Sequence, residues 1–259
     1  MSLVYERRGA GPPLVLLHGI GHHWRAWEPV LDRLAAFHDV IAVDLPGFGR
    51  SPVPPSGVAG MPAIVASLEA FFGSLGVTRP HVAGNSLGGA IALELAAAGA
   101  VASATAFSPA GFASARQLRY AVAMLSLHRL GSRLPVAALF RSRRLRAAAF
   151  GMLVARPDRI TLDRALADSA ALRDGAAFRV VARASRGYAF TGSPSVPVTV
   201  AWGARDLILR PRQAAVARRC LPTARHIALP DCGHVPMGDD PDLVTTTILT
   251  TTGANPSLT

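Results

Sequence analysis

The 259 residues suffice for one domain, or one domain with a large insertion, to bury an ample core. Half are hydrophobic and only 17% are charged, which excludes a disordered chain, and two cysteines, Cys220 and Cys232, exclude a disulfide framework. No run reaches about 18 apolar residues without a charge or a breaker, and the segment Met1 to Arg8 lacks the apolar stretch of a signal peptide, so a cytoplasmic protein without a membrane span is expected.

All 27 basic residues are arginine, and the formal net charge of +11 is unevenly placed. Residues 110–192 hold 15 Arg against 4 Asp, so this one segment carries the whole imbalance and the remainder is neutral. Three readings of these arginines stand side by side: a solvated helical face, attraction of an anionic or phosphate-bearing substrate, and docking to an acidic surface. Nucleic acid is disfavoured, because aromatic residues are 6% of the chain and show no interleaving with the arginines.

In chain order, short apolar runs alternate with helical patterns. Leu14 to Leu17 reads as a buried strand ending at His18-Gly19, and Trp24 to Phe37 follows with helical spacing. Val40 to Val43 is a strand closed by Asp44 and the turn residues Pro46, Gly47 and Gly49. Met61 to Leu75 reads as a helix, His81 to Gly84 as a strand, Leu87 to Ala98 as a small-residue helix, and Val101 to Phe107 as a strand. From 110 to 191 only helical stretches stand out, among them Arg116 to Leu130 and Val136 to Val154. The alternation resumes with a strand at Val196 to Ala201, a helix at Arg212 to Cys220, a strand at His226 to Leu229 and a threonine-rich, weak helix at Leu243 to Leu249, before a frayed tail. The expected fold is α/β: a mostly parallel central sheet of about seven or eight strands flanked by helices. Core residues 1–109 and 192–259 would be interrupted by a helical cap at 110–191.

Gly84-Asn85-Ser86-Leu87-Gly88 matches G-x-S-x-G at a strand-to-helix junction, where that motif has mechanical meaning. A sharp turn leaves no room for bulk two positions to either side of the serine, and the glycines relieve the crowding. The Ser86 hydroxyl then stands at a helix N-terminus, where amide donors favour developing negative charge. His18-Gly19-Ile20-Gly21 closes the earlier strand, and the Ile20 and Leu87 amides are the candidate oxyanion donors. His18 itself is expected to brace its loop. A base and its orienting acid should follow in the order Ser, Asp, His. Trp202-Gly203-Ala204-Arg205-Asp206 and Cys232-Gly233-His234 both lie just past strand ends, so Asp206 and His234 complete the candidate catalytic set.

These motifs, together with Asp44-Leu45-Pro46-Gly47-Phe48-Gly49, resemble the α/β-hydrolase superfamily, and within it the lidded branch of esterases, C–C bond hydrolases and cofactor-free haloperoxidase-like enzymes. The resemblance implies a serine hydrolase that cleaves an ester or related acyl bond of a small, apolar substrate, with no metal or organic cofactor. The same triad would also serve a C–C hydrolase or an acyltransferase, and the fold could also host a slow-turnover binding protein. Members of this group usually begin with one more strand, so seven strands and an altered edge are expected here.

Asp231 ranks below Asp206 because it shares the loop of the base, and Asp239 and Asp240 look like helix N-terminal residues. Asp44 is expected to brace its turn. Gly21, His22, Trp24, Asn85, Phe107, Phe112 and Val235 are the candidate pocket lining. His22 and His23 lack a nearby carboxylate or cysteine in sequence, so no metal site is expected.

Overall fold

The computed structural model describes residues 2–54, 57, 58 and 60–254; of the tail expected to fray from Gly253, the part from Asn255 onward lies outside them. A seven-stranded sheet has the order β1-β3-β2-β4-β5-β6-β7. Its strands are β1 (Tyr5–Arg8), β2 (Pro13–Leu17), β3 (Asp39–Val43), β4 (His81–Asn85), β5 (Ser103–Phe107), β6 (Val198–Gly203) and β7 (Arg225–Leu229). Only β1 runs antiparallel, pairing with β3 at the edge. The expected mostly parallel sheet, with seven strands, is what forms.

Period-two alternation sorts the core onto the two faces. Val15, Leu17, Ile41 and Val43 join one cluster, under α2 (Met61–Ser74), α3 (Leu87–Ala97) and α9 (Arg212–Cys220). Leu14, Leu16, Val40 and Ala42 join the other, under α1 (Glu28–Ala35) and α10 (Pro241–Thr252). The pattern Trp24 to Phe37 resolves into a 3₁₀ turn at Trp24–Trp27 followed by α1. The closing helix is longer than its composition suggested. Its threonines accommodate by bonding back: the hydroxyls of Thr245, Thr247 and Thr251 donate to the carbonyls of Pro241, Leu243 and Thr247. The apolar residues Val244, Ile248 and Leu249 meanwhile pack on the sheet.

β2 and β4 are neighbours, yet the chain reaches β3 on one side of them and β5 on the other. The loops after β2 and β4 therefore diverge, and a crevice opens at their carboxyl ends, the place where open α/β sheets bind ligands.

Between β5 and β6 stand five helices: α4 (Ala115–Gly131), α5 (Val136–Leu139), α6 (Arg143–Phe150), α7 (Leu162–Asp174) and α8 (Phe178–Ala184). The stretch Val136 to Val154 is two helices and not one. Ser142 starts α6 by accepting the Leu145 N–H, and the chain breaks at 140–142. Part of the arginine excess staples this unit internally. Arg129 donates to the carbonyls of Leu172 and Arg173 and lies over the Phe178 ring. Arg146, buried, donates to the carbonyls of Phe140 and Ile160 and so ties the end of α5 to the turn before α7. No helix among the described residues is long and apolar enough to cross a membrane.

Arg146→Ala removes one charged donor from two carbonyls and is expected to cost about 2–4 kcal/mol, read as a lower thermal unfolding midpoint. Arg146→Lys, which lacks the planar fork, should recover less than half of the loss. An unchanged midpoint in Arg146→Ala would mean that solvent satisfies both carbonyls.

Candidate active site

Ser86 lies between β4 and α3 with φ 56° and ψ −111°, a conformation that few non-glycine residues adopt. Close backbone approach makes the flanking glycines necessary. A Cβ on Gly84 would sit 2.1 Å from the Gly88 carbonyl oxygen, and one on Gly88 would sit 2.1 Å from that of Leu17. The Ser86 N–H donates to the Phe107 carbonyl at 2.9 Å, and its own carbonyl accepts from Ala90 and Ala110. Its side chain does not cap α3, so the hydroxyl is left for other work.

Asp206 follows β6 and is 1% exposed. One carboxylate oxygen accepts the N–H groups of Ile208 and Leu209 at 2.8 and 2.9 Å. The other accepts from Nδ1 of His234 at 2.8 Å, which turns the opposite ring edge, Nε2, away from the carboxylate. Asp231, by contrast, pairs on the surface with Arg205 at 2.7 Å. Asn85 donates to the His234 carbonyl at 2.8 Å, linking the end of β4 to the His234 loop.

Ser86 and His234 border one cavity of about 410 Å³, together with Gly19, Ile20 and Gly21. Of the expected lining residues, Gly21, His22, Asn85 and Val235 are there. Trp24, Phe107 and Phe112 are not. Trp24 opens the 3₁₀ turn and packs toward the α1 side of the sheet. Phe107 points into that same core, edge-on to Trp27 with ring centroids 6.1 Å apart. Phe112 packs against Phe190 and Trp202 beneath the helical insertion. Leu87 begins α3 with its side chain in the core. The apolar wall comes from the insertion: Leu125, itself an apolar pocket candidate in the sequence, with Phe150, Leu153, Val154 and Leu172. Helical periodicity alone could not separate these from ordinary core positions.

His18 braces the site, as expected. Its Nδ1 donates to the Gly19 carbonyl and its Nε2 accepts the Leu45 N–H, at 2.7 and 2.9 Å. Asp44 accepts the N–H groups of Trp24 and Arg50 and holds the neighbouring turn.

Two carboxylates had roles the sequence did not disclose. Asp239 is not a helix cap; Asp240 alone accepts the Leu243 N–H that starts α10. The Asp239 carboxylate is buried and accepts the N–H groups of Ala155, Arg156 and Gly233 at 2.8–2.9 Å, clamping the insertion to the His234 loop. Two adjacent acids before Pro241, with one cap position to fill, were the available signal.

Asp168, on α7, is the carboxylate that the histidine pair lacks in sequence. His23 Nε2 donates to it at 2.9 Å, and His22 Nε2 lies 3.8 Å away. The three side chains place possible ligand atoms within 4.8 Å of one another. In this arrangement Arg164 donates to both oxygens of Asp168, so a guanidinium already faces the carboxylate. Burial opposes the Asp168 charge, but His22, the His23 hydrogen bond and Arg164 outweigh it and hold the carboxyl below its ordinary range. Burial pushes His22 down to about 3, and its Nδ1 accepts the His23 N–H, so the ring is neutral near pH 7. Arg164 supplies a positive charge opposite the carboxylate.

The profile of the alpha/beta hydrolase family matches residues 14–247, and the chain belongs to this family. A pimeloyl-[acyl-carrier protein] methyl ester esterase of Aeromonas salmonicida is 38% identical over 96 residues, or 37% of this chain and 36% of the esterase. The match thus spans little more than a third of that relative's length. An uncharacterized protein of Mycobacterium tuberculosis is 29% identical over 251 residues, covering 90% of this chain and 73% of the relative. In fold, the chain is similar to a thermophilic esterase from Thermogutta terrifontis, with a TM-score of 0.75 and 23% identity over 96% of this chain and 92% of that one.

Two outcomes follow from this geometry. Asp239→Ala strands three N–H groups and should cost about 3 kcal/mol or more. Cys232 is buried beside Gly233, with its thiol pushed up to about 12 by burial, whereas Cys220 is exposed. A thiol reagent should therefore label one cysteine in the native wild type and both in Asp239→Ala; one labelled thiol in each would mean that the loop keeps its place without the clamp.

The second concerns acid. His18 and His22 have folded pKa values below that of the free side chain, so between the two values the unfolded chain binds protons that the native one does not. Stability is therefore complete above about pH 6.5 and falls as pH drops, by up to about 1.4 kcal/mol per unit for each histidine. Urea midpoints measured from pH 7 to 4.5 should show the decline, and His22→Gln should make it shallower.

Proposed function

We propose that this protein is a serine hydrolase that cleaves a carboxylic ester or related acyl bond through an acyl-enzyme. The single observation that carries the reading is the shared cavity. Ser86, held in a strained turn at a helix N-terminus, borders it together with His234, whose Nδ1 is committed to Asp206.

In this reading Ser86 Oγ attacks the acyl carbon while His234 Nε2 takes its proton. The Nδ1–H bond to Asp206 keeps Nε2 unprotonated for that purpose and stabilises the imidazolium that results. The Ile20 and Leu87 amides receive the oxyanion. His234 then returns the proton to the leaving alcohol, and water repeats the sequence in reverse to release the acid. Residues 110–191 act as the cap over core residues 1–109 and 192–259. The apolar wall from Leu125 to Leu172 receives the acyl chain, which favours a small, largely apolar substrate. The name of the Aeromonas relative, a methyl ester esterase, supports an ester of a small alcohol.

The test is p-nitrophenyl acetate and butyrate turnover with burst kinetics. Ser86→Ala, Asp206→Asn and His234→Ala should each lower kcat at least about 10³-fold, and a fluorophosphonate should label wild type but not Ser86→Ala. Turnover surviving unchanged in Ser86→Ala would overturn the assignment. Stoichiometric labelling without turnover on any ester would move the reading to another acyl or C–C substrate.

A further inference from the structure

The outer side of the insertion carries an apolar groove between α4, α5 and α6. Its exposed residues are Leu127, Leu130, Leu134, Leu139 and Leu145, each between 37% and 61% accessible. Five half-exposed leucines contiguous around one groove are not the scattered apolar residues that any surface carries. Arg133 lines the groove as well, and Arg141, Arg143 and Arg144 lie between its lining residues Phe140 and Leu145 in the chain; all four are exposed. None of the four makes an ion pair among the described residues, unlike Arg25, Arg164, Arg173 and Arg205. The chain holds no Asp or Glu between Glu94 and Asp158, so no acid of its own strand of sequence neutralises this rim.

A leucine groove lined by Arg133, with the exposed and unpaired Arg141, Arg143 and Arg144 in the chain between its lining residues Phe140 and Leu145, is the complement of a lipid surface with anionic headgroups: apolar side chains enter the acyl boundary while the arginines meet phosphates. A second copy of the chain does not fit, because a two-fold contact across this face would set the four arginines against their own images. A protein partner fits less well. Protein-docking surfaces draw their energy from Trp, Tyr and Arg anchors, with leucine under-represented; the apolar floor of this groove is mainly leucine and offers neither Trp nor Tyr, so arginine is the one such anchor present. The same helices serve both sides of the insertion. His128 borders the groove and also the cavity that contains Ser86, so the groove is the outer surface of the cavity wall.

We infer that this face of α4–α6 docks the protein on an anionic lipid bilayer, with the leucines inserted and Arg133, Arg141, Arg143 and Arg144 on headgroup phosphates. The experiment is sedimentation of the full chain with vesicles of phosphatidylcholine alone and with vesicles that also contain phosphatidylglycerol, at low and high salt. Binding is expected only to the anionic vesicles, and weaker at high salt. Arg143→Glu/Arg144→Glu should lower partitioning about thirtyfold or more, and Leu130→Ser/Leu134→Ser at least about tenfold. Arg218→Glu/Arg219→Glu, on α9 outside the insertion, removes the same charge and should change partitioning less than about threefold. All six side chains are exposed, and turnover of p-nitrophenyl acetate should stay at the wild-type level in every variant, which keeps this inference separate from the catalytic one. An equal loss in the α9 variant would show attraction by net charge alone and overturn the proposal. So would binding that ignores both insertion variants, or saturable binding to an acidic polypeptide with none to vesicles.

Discussion

The structure depends on one backbone turn. Ser86 is held with positive φ at the end of a parallel strand, a conformation that costs on the order of 1–3 kcal/mol and persists only when its surroundings over-determine it. They do so here. The Ser86 N–H is taken by β5, its carbonyl is shared by Ala90 and Ala110, and Gly84 and Gly88 let β4, α3 and the end of β2 approach within contact distances that no side chain would allow. The reward is position: a hydroxyl lifted off the sheet at the crevice where the strand order reverses, at the start of a helix that it does not cap.

Around that turn the other groups are held by donors and acceptors rather than by shape. Asp206 spends one oxygen on two backbone N–H groups and the other on His234, so neither the carboxylate nor the ring can rotate without losing a buried bond. Asn85 and Asp239 both fix the His234 loop, one through the His234 carbonyl and the other through the Gly233 N–H. The Val235 N–H, donated to the Leu153 carbonyl, joins that loop to the insertion. Asp239 on the His234 side and Asp168 on the side of the Gly19–His23 loop thus both anchor the insertion to the core.

Three physical classes stand out within the arginine excess. Arg129 and Arg146 satisfy helix-terminal and turn carbonyls inside the insertion. Arg164 balances a buried carboxylate. Arg133, Arg141, Arg143 and Arg144 face solvent beside leucines, with no counter-charge among the described residues. Composition alone does not distinguish these classes, because guanidinium groups with identical charge do different work according to what stands opposite them.

The sequence by itself determined six of the seven strands, the glycine–serine elbow, and the placing of Asp206 and His234 just past strand ends, since each is written in local terms: an apolar period, a glycine two residues from a serine, a polar residue after an apolar run. The edge strand β1, Tyr5-Glu6-Arg7-Arg8, has no apolar run of its own, so the count of seven came from the family resemblance and not from local pattern. Only the tertiary structure decided which side chains meet across the crevice. His23 and Asp168 are 145 residues apart, and Ala155 and Asp239 are 84 apart, so no local pattern pairs them. Phe107 and Phe112 were equally apolar candidates for the pocket until strand alternation and the packing of Trp27, Phe190 and Trp202 turned them into core. Hydrophobicity says that a residue will be buried; only the packing of neighbouring elements says against what.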